Sequence, residues 1–261
     1  GRFASEAALA ANQPLARADA LVGAYRATQL FSFLPYQILI AITFILFPML
    51  ATAAQARDPE AIARYVRTGL RLALIIAGAM VSVTVGLAPR LLALMFGAEA
   101  AALGGRALSL LAVGFGAFAI FGILITVLNS LKRERESLWV TLLAVVVVAA
   151  LCFGRARGAA LGEELLWLTA QATSAGLAVA TAIAAVLVHR AAGALVSPWT
   201  LLRTALALGV SALAARTLFP PGKLLTLVAA AVTPCVYLVI LLLTRELGRA
   251  DLDVLRRVAK R

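Results

Sequence analysis

The chain has 261 residues, 63% of them hydrophobic and 14% charged, with a mean hydropathy of +0.98. Water-soluble domains run at about half apolar and a quarter charged, so this composition excludes one and marks an integral membrane protein. The formal charge of +12 raises nucleic acid as a partner, but the basic residues fall in short connections between apolar runs, where positive-inside bias and anionic lipid account for them, and no nucleic-acid motif accompanies them.

Residues 1–24 mix small apolar residues with Arg2, Glu6, Arg17 and Asp19, and read as an outer-side loop or the end of a preceding helix. The first span, about 30–54, has no formal charge and contains Pro35 and Pro48. Each proline removes an amide donor, so a bend is expected at one or both, and the freed carbonyls need a partner in protein or in a wet cavity. Tyr25, Arg26, Gln29, Tyr36 and Gln37 cluster around that bend and make it a candidate cavity-lining helix. The plainer reading of Arg26 is an interfacial anchor that snorkels to head groups. Asp58-Pro59-Glu60 spells a helix start, with a side-chain acceptor at the cap and Pro at the first helical position. Ile62, Tyr65, Val66 and Leu70 then share one face, which predicts an amphipathic lead-in on the membrane surface. Span two, about 68–88, is expected to stop at Pro89-Arg90, with Leu91–Gly97 an interfacial turn too short to cross.

Span three, about 107–128, carries Gly114, Gly116 and Gly122, small residues that let helices approach closely in lipid. Span four follows at 138–153 and span five at 165–188, where Gln171 is the polar residue singled out as a pore candidate. Spans six (201–218) and seven (224–243, with Pro234 inside) form a terminal pair joined by Phe219–Lys223. Residues 245–261 place Leu247, Leu252, Leu255 and Val258 near one face among basic residues, a cytoplasmic amphipathic tail. The chain thus divides into 25–190, a five-span bundle; 191–244, the terminal pair; and the flanking 1–24 and 245–261. Arg57, Arg64, Arg67, Lys132, Arg133, Arg190 and the C-terminal arginines gather on one side, which puts the C-terminus in the cytoplasm. An odd number of spans then leaves residue 1 outside, which suggests that helices precede it. Cys152, Cys235 and the single histidine, His189, make no metal-ligand or nucleophile spacing, so neither metal, cofactor nor catalysis is expected. The fold class is all-α, a polytopic transmembrane bundle of about seven spans.

The ordered set GAYRATQ (23–29), an internal LP (34–35), a terminal FP (47–48), an acid-Pro connection, LMFG (94–97) and LNSLKRE (128–134) resembles the C-terminal lobe of the multidrug/oligosaccharidyl-lipid/polysaccharide exporter superfamily, in its polysaccharide (O-antigen-type) flippase branch. The resemblance covers about 20–190. It implies helices eight to fourteen of a two-lobed transporter that moves undecaprenyl-diphosphate-linked sugars across the bacterial inner membrane by alternating access. The partners implied are membrane lipid, the lipid-linked oligosaccharide and the missing N-terminal lobe. It also implies that Tyr25, Arg26, Gln29 and Gln37 face the substrate, the guanidinium on the diphosphate and the amides and phenol on sugar hydroxyls. The lipid II flippase branch ranks lower, because its AdRly-like opening and the LS after its terminal Pro are replaced by AYRAT and Met49-Leu50. A membrane glycosyltransferase or polymerase of the same pathway ranks lower too, for want of acidic or His groups on a sizeable soluble loop, as does a non-transporting scaffold.

Overall fold

The computed structural model describes residues 15–157, 159 and 162–247, and among these it is built of helices alone. In chain order they are α1 (Leu15–Ser32), α2 (Leu34–Gln55), α3 (Pro59–Ser130), α4 (Glu134–Ala156), α5 (Glu163–Ala192), α6 (Pro198–Leu218) and α7 (Lys223–Leu243). Six helical stretches are long and apolar enough to cross a membrane, with α1 and α2 forming one of them. The 72-residue α3 would run for about 108 Å if straight, and it breaks once, at Gly97, where φ is 88°. The two arms, 59–96 and 98–130, fold back on each other. Pro89 lies under Gly105, Val81 under Gly116, and Ser109 Oγ reaches the Val85 carbonyl at 3.5 Å. Contacts that move back along one arm as they advance along the other define an antiparallel hairpin. The described residues therefore make seven passes, the number the hydropathy predicts.

Two expectations are corrected here. Of the two readings of residues 1–24, loop or helix end, the described part is helical: 15–24 are turns of α1, with Leu21 and Ala24 buried against Ala107, Leu111 and Leu166. Residues 59–71 are not a separate surface helix. They run on into the first arm because the face that looked amphipathic is a packing face, with Val66 and Leu70 buried among Leu46, Leu50 and Leu128. Residues 91–96 stay helical through Pro89, so the turn is confined to Gly97, the position able to adopt positive φ without strain. Asp58 does cap this helix, accepting from the Ala61 amide at 2.9 Å. The expected amphipathic tail falls mostly on 248–261, outside the described residues.

Between α1 and α2 the ladder runs on, from the Phe33 amide to the Gln29 carbonyl at 2.9 Å and from the Gln37 amide to the Phe33 carbonyl at 3.3 Å. Pro35 supplies no amide to the Phe31 carbonyl, and this marks the interruption at Phe33; α2 continues through Pro48. An aromatic set braces the junction: Phe33 lies 4.9 Å from Tyr36 and 5.5 Å from Phe115, and Tyr36 lies 4.9 Å from Phe118.

The second arm of α3 packs on α5 through small residues and crossing hydrogen bonds. Ser174 Oγ donates to the Leu110 carbonyl at 3.1 Å, and Thr181 Oγ1 to the Ala117 carbonyl at 3.0 Å. Donors seven residues apart thus meet acceptors seven residues apart, which two parallel helices permit.

The terminal pair, α6 and α7, lies against the first arm. Gly86 leaves room for the Ala212 backbone, and Gly78 sits under the Tyr237 ring, whose hydroxyl reaches the Leu74 carbonyl at 3.4 Å. Just past α7 the buried Glu246 gathers Arg71 Nε at 3.1 Å, Arg203 Nη1 at 3.2 Å and the Thr200 hydroxyl at 2.9 Å, and Arg71 Nη2 also donates to its backbone carbonyl. Burial alone would raise the Glu246 pKa, but hydrogen bonds from Thr200, Arg71 and Arg203 prevail and hold it below the usual carboxylate range. A carboxyl more acidic in the folded than in the unfolded state stabilises the fold above its unfolded pKa, and that contribution drains away as pH falls through the folded value. Glu246→Gln is therefore expected to lower the melting temperature in detergent at pH 7, while the gap to the native protein closes as pH drops below about 4.3. A gap independent of pH between 3 and 7 would contradict the clasp's charge dependence.

Candidate functional site

The candidate residues sit on α1 and the first turn of α2, at the level of the Phe33 interruption. Neighbours on a helix diverge by about 100°, whereas positions 26, 29 and 37 fall within an arc of about 80°. Tyr25 and Arg26 therefore cannot share a face. The Tyr25 side chain is half-buried and turned toward α5, its hydroxyl 3.4 Å from Thr173 Oγ1, which in turn is 3.4 Å from Cys152 Sγ. Arg26 is exposed, and makes no ion pair among the described residues. Gln29 is half-buried and Gln37 exposed on the same side, with Arg26 and Gln37 about 16 Å apart along the axis. The structure thus groups Arg26, Gln29 and Gln37 and sets Tyr25 apart.

The opposite side of the rod explains this placement. Leu21, Ala24, Ala27, Leu39, Leu46 and Leu50 are buried against α3 and α5. The side that carries Arg26 and Gln37 also exposes Leu30 and Phe44, the latter at 74%. No helix among the described residues covers it. A guanidinium within an apolar span costs several kcal/mol unless it meets water, an anion or a protein partner, so an arginine kept on such a face has a use for its charge.

Sequence reasoning missed one pairing nearby. Arg155, in the last turn of α4, donates through Nη1 to Gln171 Oε1 at 3.0 Å. Gln171 is thereby tied to a neighbour rather than standing alone as a pore group. The two residues are sixteen apart on different helices, with no local spacing that could signal the contact. No group of three or more metal-ligating side chains occurs among the described residues.

Comparison with known proteins bears on this arrangement. A family model described as lipid II flippase MurJ matches residues 7–249. No curated protein matches. A solved structure titled "Lipid II flippase MurJ, inward closed conformation" is similar in fold, with a TM-score of 0.68 and 12% sequence identity over 88% of this chain and 48% of that one. The chain thus spans about half the length of that solved protein. The match falls on the lipid II branch, which the local motifs placed second, and the polysaccharide subtype finds no support. The motif ranking rests on two stretches of a few residues, AYRAT and Met49-Leu50, whereas the family match extends over nearly the whole chain.

Proposed function

The chain belongs to the lipid II flippase MurJ family, and on that premise we propose that it forms one lobe of a transporter that carries the lipid-linked, diphosphate-bearing precursor of peptidoglycan across the bacterial inner membrane. It is a multi-pass membrane protein of a family of transporters, not enzymes: a flippase moves a lipid between leaflets and makes or breaks no bond in it. Alternating access needs a second body opposite the first, and the uncovered side of α1 and α2 is the surface we assign to it.

The observation that carries the reading is Arg26, a guanidinium on the exposed side of a membrane-spanning rod, with Gln29 and Gln37 below it. A lipid diphosphate brings negative charge into a low-dielectric passage, and a guanidinium can hold two phosphate oxygens at once. Gln29 and Gln37 add uncharged donors and acceptors for the sugar. Tyr25 supports α1 from behind through its contact with Thr173. A lipid-linked oligosaccharide shares the diphosphate, so only its glycan separates the two substrates. Reconstitution of the whole protein in liposomes loaded with either lipid, and measurement of the fraction reaching the opposite leaflet, tests the proposal. Translocation of lipid II well above that of an undecaprenyl-diphosphate oligosaccharide is expected; the reverse preference restores the polysaccharide reading, and movement of neither defeats both.

A further inference from the structure

A cleft runs between the two arms of α3 and α6. Toward the Gly97 end of the bundle it opens into a chamber of about 580 Å³, lined by Arg106, Arg216, Glu163 and Trp167. Deeper in lies a chamber of about 350 Å³ whose wall is apolar, with Leu74, Val81 and Ile120 among its side chains. Its one hydroxyl, on Thr204, is already bonded to the Thr200 carbonyl of its own helix at 2.8 Å. Val113 lines both chambers, so they adjoin at its side chain, a polar mouth next to an oily floor.

The mouth is cationic. The Arg106 guanidinium lies 4.2 Å from the Trp167 ring centroid, a cation–π contact that leaves its N–H groups available to donate. Arg216 is exposed on the facing helix. Arg90 donates through Nη2 to the Arg216 carbonyl at 3.3 Å, while its Nη1 is buried with no hydrogen-bond partner. Among the residues that line the mouth, Arg106 and Arg216 face a single carboxylate, Glu163. From Arg106 to Ile120 the second arm rises about 21 Å, somewhat more than half of a hydrocarbon core about 30 Å thick. The cleft is therefore one leaflet deep.

We propose that this cleft binds one molecule of an anionic glycerophospholipid, its phosphodiester seated between Arg106 and Arg216 and one acyl chain laid past Val113 toward Ile120. A free phosphate would leave the oily chamber without an occupant, and a zwitterionic lipid would set its ammonium against the arginines. The site is separate from the Arg26 face and does not rest on the transport reading.

Of the three tryptophans in this sequence, Trp139 and Trp199 begin α4 and α6 at the opposite end of the bundle, so a W139F/W199F form, with any tryptophan elsewhere in the whole protein also changed to Phe, reports on Trp167 alone. In vesicles containing acyl-brominated phosphatidylglycerol, Trp167 fluorescence is expected to be quenched at a mole fraction roughly tenfold lower than with brominated phosphatidylcholine. R106Q/R216Q should erase that preference, E163Q should strengthen it, and millimolar inorganic phosphate should leave it unchanged. Equal quenching by the two lipids, a preference that survives R106Q/R216Q, or one abolished by inorganic phosphate would overturn the assignment, the last in favour of a free anion.

Discussion

Gly114→Leu is expected to leave no stable bundle in mild detergent. A Cβ at this position would lie 2.5 Å from Ser174 Oγ and 2.7 Å from Ser174 Cα. The hydroxyl could rotate away, but the Cα is backbone, so α5 as a whole must retreat from the second arm of α3. That retreat also pulls Ser174 and Thr181 off the Leu110 and Ala117 carbonyls. Overpacking of a well-filled interior costs about 1–3 kcal/mol where side chains can adjust, and more where a helix must move. Gly209→Ala is the matched control, because its added Cβ meets nothing within 4 Å; it should change stability by no more than about 0.5 kcal/mol. Thermal unfolding followed by size-exclusion recovery separates the two. A Gly114→Leu protein that melts within a few degrees of the native one would refute the close packing of α3 on α5.

Arg26→Ala in the whole protein is expected to slow lipid II translocation roughly a hundredfold, since a bidentate, charge-assisted contact to a diphosphate is worth about 3 kcal/mol. Membrane insertion and melting temperature should not move, because the side chain is exposed and bears no ion pair among the described residues. Arg26→Lys should recover part of the rate, as a point charge replaces a planar fork. Gln37→Ala removes one uncharged contact and should cost roughly fivefold. The decisive comparison is rate against stability. A normal rate in Arg26→Ala removes the residue from the substrate path, and a rate that falls in step with melting temperature makes its role structural.

Most of the architecture could be read from residue order. Apolar length and proline and glycine punctuation locate the passes, and Asp58-Pro59-Glu60 marks a helix start that the Ala61 hydrogen bond bears out. The errors share a cause. Residues 59–71 and 91–96 carry enough small or charged residues to look interfacial, yet they continue the spanning helix because helices in this bundle run well past the apolar core. Local composition reports what a segment would prefer alone, whereas Val66 and Leu70 are fixed by Leu46 and Leu50 arriving from another helix. The same limit governs the polar groups. Arg26, Gln29 and Gln37 share a face through helix geometry alone, which sequence supplies. The Arg155–Gln171 pair, the gathering of Arg71 and Arg203 on Glu246, and the stacking of Arg106 on Trp167 need tertiary placement, and no spacing announces them.

The terminal pair is fastened to the first arm of α3 at two widely separated heights, by Arg71 on Glu246 near one surface and by Arg90 on the Arg216 carbonyl near the other. Nineteen helical positions separate the two arginines, about 28 Å, or nearly the full depth of the oily layer. One pin would let the pair pivot; two at that span act as a splint. On the proposed transport reading, α6 and α7 travel with that arm as ballast, so spin labels placed across the joint should keep their separation in inward and outward forms while labels from the pair to α2 record the stroke.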